Sequence, residues 1–231
     1  MYSNIKWTDD FSYHGYRHGN LYYIPVQKCA STYYRIIFDD ILQWEETHLT
    51  CKELENFTVF AHMRDPIDRY IAGLMTYLGL NKLEDILDDD RFSHLFTTYG
   101  IVFDGHTSPH SFAVPDILNT EWLLLNHPEK ERMGNFLLFW FLHHHGIDID
   151  LEYINNLPMQ FVAEKTPYWI NIRNKLNAGF QKSDEIVDQF DVKTNRLFYY
   201  DQYVYNLVNE NTQYWKQSWP EISWLNNYRQ S

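Results

Sequence analysis

The stretch Tyr22 to Phe38, YYIPVQKCASTYYRIIF, decides the fold. Leu21 to Val26 is a short apolar and aromatic run of the length and bounded shape of a buried strand. The chain then turns at Gln27, Lys28, Cys29 and Ala30. From Ser31 it resumes as a helix, with Tyr33, Ile36, Ile37 and Ile41 at helical spacing. Ser31 and Thr32 fall where a helix start leaves backbone N–H groups unpaired and presents the positive end of its dipole. A lysine, two hydroxyls and free amides at such a place suit an anion, most naturally a phosphate. The same residues also read as an ordinary capped helix beside a solvated lysine, so this stretch alone leaves both readings open.

A second stretch bears on the choice. Phe57 to Met63 (FTVFAHM) is again strand-like and runs into Arg64-Asp65-Pro66-Ile67-Asp68-Arg69-Tyr70-Ile71-Ala72-Gly73, where Pro66 suits the first turn of a helix. Arg64 is therefore expected at the carboxyl end of a strand, the edge of an α/β sheet where ligands bind. An arginine there can grip a phosphate through two parallel N–H groups. Two strand-to-helix turns, each with a cation, point to a ligand with phosphates at both ends.

At these residues the sequence resembles the sulfotransferases that use 3′-phosphoadenosine 5′-phosphosulfate (PAPS), and among them the carbohydrate branch. PVQKCASTYYR is similar to the family's 5′-phosphosulfate loop, and RDPIDRYIAG to its 3′-phosphate motif. The resemblance implies that Lys28, Cys29, Ala30, Ser31 and Thr32 surround the phosphosulfate, and that Arg64, Arg69 and Ala72 lie at the 3′-phosphate. His106-Thr107-Ser108-Pro109-His110 is similar to the H-x-x-P-Q element of the carbohydrate branch, which implies acceptor contacts from His106, Pro109 and His110. By motif the likeness covers roughly residues 20 to 110 and, more loosely, the C-terminal third. Ala30 stands where many members have glycine, a change tolerable where the turn avoids positive φ. Ala72 stands where the 3′-phosphate serine is expected, which removes one hydroxyl contact. The glycine-rich C-terminal segment of the cytosolic enzymes is absent.

The 231 residues are 45% hydrophobic, enough for one domain spanning residues 1–231 with a sizeable core. Eighteen tyrosines, fifteen phenylalanines and eight tryptophans exceed the needs of an ordinary core, and a surplus suits a cleft that stacks adenine or sugar rings. A formal charge of −12 argues against nucleic-acid or anionic-membrane partners, which need a basic footprint. Two cysteines, Cys29 and Cys51, make no disulfide framework. Cys29 reads as structural despite its place beside Lys28. The polar start MYSNIKWTDD carries no signal-peptide core and no run is long and apolar enough for a bilayer, so a cytoplasmic protein of bacterial or viral type is expected.

Elsewhere, HGYRHG near the start reads as a loop, and Glu45 to Asn56 as a connection to the second strand. The run from Ile71 to Leu87 is helical, Asn119 to Asn126 and Asn135 to His145 are buried helix or strand, and Phe161 to Ala163 and Leu197 to Tyr200 are strands. Asp201 is placed at the start of an aromatic amphipathic helix. Alternating strands and helices imply an α/β fold with a mainly parallel sheet flanked by helices, a P-loop-like three-layer α/β/α arrangement.

Sulfuryl transfer needs an aligned acceptor hydroxyl, a base for its proton and positive charge on the departing phosphate. Lys28 is assigned the last role, Arg64 holds the 3′-phosphate, and Arg69 helps it or braces Asp65 and Asp68. His106 and His48 are the candidate bases, with His62, Glu45 and Glu46 as further options. Cationic side chains and amides serve the leaving group, so no metal is required. The acceptor is a hydroxyl compound, most naturally a glycan. A nucleotide kinase lacks support, because the G-x-x-x-x-G-K-[ST] spacing is missing around Lys28. An inactive nucleotide- or glycan-binding protein remains the competing class.

Overall fold

The computed structural model describes residues 11–82, 102–125, 133–158 and 196–218, with isolated positions between 167 and 174. Strands β1 (Ser12–His18), β2 (Leu21–Ile24), β3 (Glu45–Thr50), β4 (Thr58–Met63) and β5 (Glu121–Leu124) form one open sheet in the order β3-β1-β2-β4-β5. The fold is mixed α/β, and the sheet divides into two halves. β2, β4 and β5 run parallel, whereas β1 is antiparallel to both β2 and β3. The expectation of a mainly parallel sheet is thus corrected, because two elements read as connections are strands.

HGYRHG is the first of these. His14 to His18 belong to β1, and Gly19, at φ 57°, makes the two-residue turn that returns the chain as β2. The glycine in the strand hid it: Tyr22's ring lies where a Gly15 side chain would be, and a Cβ there would meet it at 2.5 Å. The second is β3, an edge strand of Glu45, Glu46, Thr47 and His48 with Leu49 its one buried side chain. Charged residues on an edge are a common defence against unwanted pairing, and they erase the apolar alternation that sequence reading relies on.

The helices among the described residues include α1 (Ser31–Ile36), continued by a π-helical turn at Ile37–Ile41, α2 (Cys51–Leu54), α3 (Pro66–Asn81), α4 (Met133–His144), α5 (Leu151–Asn156) and α6 (Arg196–Ser218). α3 starts where the sequence indicates: Pro66 is its first residue and the Asp65 carboxylate caps it, accepting the N–H groups of Ile67 at 2.9 Å and Asp68 at 3.0 Å. Leu197 to Tyr200 is not a strand but the first turn of α6, and Asp201 lies inside that helix. Its buried positions Phe198, Asp201 and Val204 repeat every three residues, a spacing that outweighs the β preference of the aromatic run. The expected strand at 161–163 lies outside the described residues. Among the described residues no helix is long and apolar enough to cross a membrane.

Both faces of the β2–β4–β5 half are buried. Tyr16, Tyr23 and Phe60 pack with α1, α4 and α5 in one cluster, while Tyr22, Ile24, Val59, Ala61 and Met63 pack with Cys29, Trp122 and Val204 in another. A polar network ties the first cluster together. Asn135 Nδ2 donates to Tyr33 Oη at 2.8 Å and to Asn155 Oδ1 at 2.9 Å, and Tyr34 Oη donates to Asn135 Oδ1 at 3.2 Å. His62 is part of this core and not of a cleft. Its ring stacks on Tyr34 with centroids 3.6 Å apart, its Nδ1 is 3.1 Å from Tyr23 Oη, and its Nε2 is 3.3 Å from the Gly134 carbonyl.

Burial pushes the His62 imidazole down from 6.5 to about 3. The folded state therefore excludes a proton that the unfolded chain accepts below pH 6.5. The neutral ring's contribution is complete above that pH and is lost as pH falls towards 3, with a slope of at most about 1.4 kcal/mol per pH unit. Denaturant titrations between pH 7 and 4 should accordingly give a shallower decline of stability for His62→Gln than for the unaltered protein. Equal slopes would contradict this account of the buried ring.

Candidate functional site

Parallel pairing of β2 with β4, with Ile24 opposite Ala61, brings the two strand-to-helix turns to the same edge of the sheet. The first turn is more contorted than its sequence indicates. Lys28 and Ala30 both adopt left-handed conformations, at φ 65° and φ 55°, and Ala30 occupies the N-cap position of α1 without a side-chain cap. The condition under which alanine was tolerable in place of glycine is therefore not met. Each such residue costs roughly 1–2 kcal/mol, which the surrounding contacts must offset.

Lys28 lies over α3, its Nζ donating to Thr76 Oγ1 at 2.6 Å. A cleft of about 330 Å³ opens beside it, lined by Lys28, Ser31, Thr32, Arg35, His14 and His106 together with Pro25 and Gln27. Among the described residues, two permanent cations, two imidazoles and two hydroxyls line this space and no carboxylate does, in a chain whose formal charge is −12. Glu46 and Asp104 pair with side chains of the lining. Glu46 lies 2.6 Å from His14 Nε2 and 3.7 Å from Arg35, and the His14 contact holds its carboxyl below the usual range. Such a cleft favours an anion carrying several oxygens.

Of the candidate bases, His106 is the one that lines the Lys28 cleft. Asp104 organises its loop: one carboxylate oxygen accepts the backbone N–H of His106 at 2.9 Å, and the other lies 2.9 Å from His106 Nδ1. With Nδ1–H held by a carboxylate, Nε2 carries the lone pair, the arrangement of an oriented general base. Thr107 Oγ1 accepts the N–H groups of Phe103 and Asp104, closing the loop on itself. Gly73 admits this loop to the face of α3, since a Cβ there would lie 2.0 Å from the His106 carbonyl oxygen. His48 is exposed on the edge strand, opposite His14 with ring centroids 5.0 Å apart, and does not line the cleft.

The arginines divide the work differently from expectation. Arg69 braces neither Asp65 nor Asp68. Its buried guanidinium donates from Nε to the Gln27 carbonyl at 2.9 Å and from Nη1 to the Ser108 carbonyl, clamping the Lys28 turn to the His106 loop. Arg64 emerges from the end of β4 as read, half-buried, with its Nε shielded from solvent and without a hydrogen-bond partner among the described residues. It is not part of the Lys28 cleft's lining. Ala72 is buried on α3, where its carbonyl accepts from Thr76 Oγ1 at 3.1 Å.

Pro109 and His110, expected to touch an acceptor, are buried. His110 Nδ1 lies 2.9 Å from Asp201 Oδ2 and its Nε2 lies 3.4 Å from Cys29 Sγ, so neither ring nitrogen is left for a substrate. The Cys29 side chain belongs to the same buried group. Sequence reading missed His14 and Arg35 in the cleft and the partners Thr76, Asp104 and Asp201. Arg35 was the one within reach, since it falls one helical turn beyond Ser31 and Thr32 on the same helix.

The fold and site thus define an open-sheet α/β protein with a cation-lined cleft at a strand-to-helix turn. Comparison with protein-family models, curated proteins and solved structures finds no match.

Gly73→Ala should place a methyl group against the His106 backbone, costing about 1–3 kcal/mol of stability or displacing the loop. Denaturant midpoints together with the His106 ring resonances in NMR spectra check this. An unchanged midpoint with unchanged resonances would show that the loop does not pack as described.

Proposed function

We propose that this chain is a sulfotransferase that moves the sulfuryl group of PAPS to a hydroxyl of a carbohydrate acceptor. The observation that carries the reading is the cation-lined cleft of Lys28, Arg35, Ser31, Thr32, His14 and His106 at the turn after β2. The likeness of PVQKCASTYYR and RDPIDRYIAG to the family's two nucleotide motifs gives the anion its identity. The parallel β2–β4–β5 half, buried on both faces, agrees with a P-loop-like three-layer core extended by an antiparallel edge.

In this reading Lys28 and Arg35 offset the charge of the phosphosulfate, with Ser31 and Thr32 as hydroxyl partners. Arg64 serves the 3′-phosphate, and its unpartnered Nε is an orphaned donor that a phosphate oxygen would satisfy. His106, oriented by Asp104, takes the acceptor's proton while the acceptor oxygen bonds to sulfur and the bond from sulfur to the 5′-phosphate oxygen breaks. Adenosine 3′,5′-bisphosphate departs, its new charge facing Lys28.

A second reading, a nucleotide or glycan binder without turnover, has two observations in its favour: Lys28 Nζ already has a partner in Thr76, and Ala72 offers no hydroxyl. Melting curves and turnover separate the classes. Adenosine 3′,5′-bisphosphate should raise the melting temperature while ATP with magnesium does not, and the reverse would favour a kinase. With labelled PAPS and a panel of glycans, Lys28→Ala should abolish transfer with the fold intact. His106→Ala should lower kcat about 10²-fold or more, and His48→Ala should leave it within a few-fold. Near-normal turnover in Lys28→Ala would remove the lysine from its assigned role, and nucleotide binding with no transfer to any acceptor would favour the binder.

A further inference from the structure

Cys29 stands between the two left-handed residues of the Lys28 turn, yet its side chain is fully buried and is not part of the lining of the Lys28 cleft. Its Sγ lies 3.4 Å from His110 Nε2, and the opposite ring nitrogen lies 2.9 Å from Asp201 Oδ2. Asp201 also accepts the backbone N–H of His110 and, at 3.0 Å, that of Ser111. All three side chains are shielded from solvent, and Trp122 closes the group edge-on against His110, with ring centroids 5.8 Å apart.

Three chain segments therefore meet at one hydrogen-bonded line: the turn after β2, the loop that also carries His106, and α6. Burial draws the Cys29 thiol upward, but the facing His110 ring and then Arg69 bring it below its ordinary value. Burial likewise lowers His110, and the sulfur and Asp201 more than reverse this. A dry pair of this kind resists the loss of either member, since the one left behind keeps an uncompensated polar group. Full burial leaves the sulfur no access for attack on a substrate, so its work is on the chain itself.

We propose that Cys29, His110 and Asp201 are positioning residues for the anion cleft, a relay through which α6 holds the left-handed turn that presents Lys28 in register with the loop that presents His106. The relay explains how a turn with alanine in a glycine-like conformation persists: the sulfur between the two left-handed residues is tethered. It rests on the proposed function for its effect on turnover, and on geometry alone for its effect on the turn.

The test uses the full chain with Cys29→Ser and His110→Asn, where the serine is the milder change should the asparagine variant fail to fold. Backbone NMR shifts of Lys28 and Ala30 should lose their left-handed values in both variants while those of β4 and α3 stay in place. Affinity for adenosine 3′,5′-bisphosphate should fall about tenfold or more. Adding Ala30→Gly, which adopts the left-handed conformation at no steric cost, should recover several-fold of that affinity. General loosening of the core would not produce such recovery. Folded variants that keep the left-handed shifts, or a loss of affinity that the glycine leaves untouched, would overturn the proposal. Loss of the left-handed signature in a protein that binds no adenosine nucleotide would leave the relay standing and remove the sulfotransferase reading alone.

Discussion

The buried guanidinium of Arg69 is the constraint on which the site depends. A cation removed from water must find acceptors, and it finds the carbonyls of Gln27 and Ser108, one from the turn that carries Lys28 and one from the loop that carries His106. Because Arg69 belongs to the first turn of α3, both segments are referred to that helix, as Lys28 is through Thr76 and the His106 loop is through Gly73. The geometry of the cleft is thus set by α3, whose own start is fixed by the Asp65 cap and Pro66. The RDP sequence serves as a helix-starting device as much as a source of cationic charge.

Around this frame the protein distributes its charge unevenly. The chain is acidic overall, and the edge strand β3 carries Glu45 and Glu46, paired with Arg17, His14 and Arg35. These exposed pairs add little to stability, while cations and imidazoles line the cleft. A cleft of that lining suits an anion in a chain whose net charge is negative. The adjoining cavity, of about 300 Å³, is bounded by Phe11, Tyr13 and Phe112 and shares His14, Pro25 and Gln27 with the cleft. Aromatic rings beside an anion site match the needs of a nucleotide base or a sugar face.

Much of this was legible in the sequence where the physics is local. The strands at Leu21 and Thr58, the helix start at Pro66 and the turns bearing Lys28 and Arg64 follow from apolar runs and proline geometry over a few neighbours. What escaped was set by partners distant in sequence. Gly15 reads as a loop residue until Tyr22's ring is known to cover it, and β3 has no pattern because an edge strand need bury little. Leu197 to Tyr200 has strand composition, but Phe198, Asp201 and Val204 have a helical destination. His110 reads as a loop histidine for substrate, and its pairing with Asp201, ninety-one positions away, leaves no local signal.

The central claim is that the Lys28 cleft receives the phosphosulfate end of a nucleotide. A crystal structure with adenosine 3′,5′-bisphosphate tests it most directly. The account predicts the 5′-phosphate among Lys28, Ser31, Thr32 and Arg35, with the Lys28 ammonium on a phosphate oxygen and the 3′-phosphate reached by Arg64. A nucleotide seated elsewhere, or a 5′-phosphate in the cleft with Lys28 making no contact to it, would contradict it.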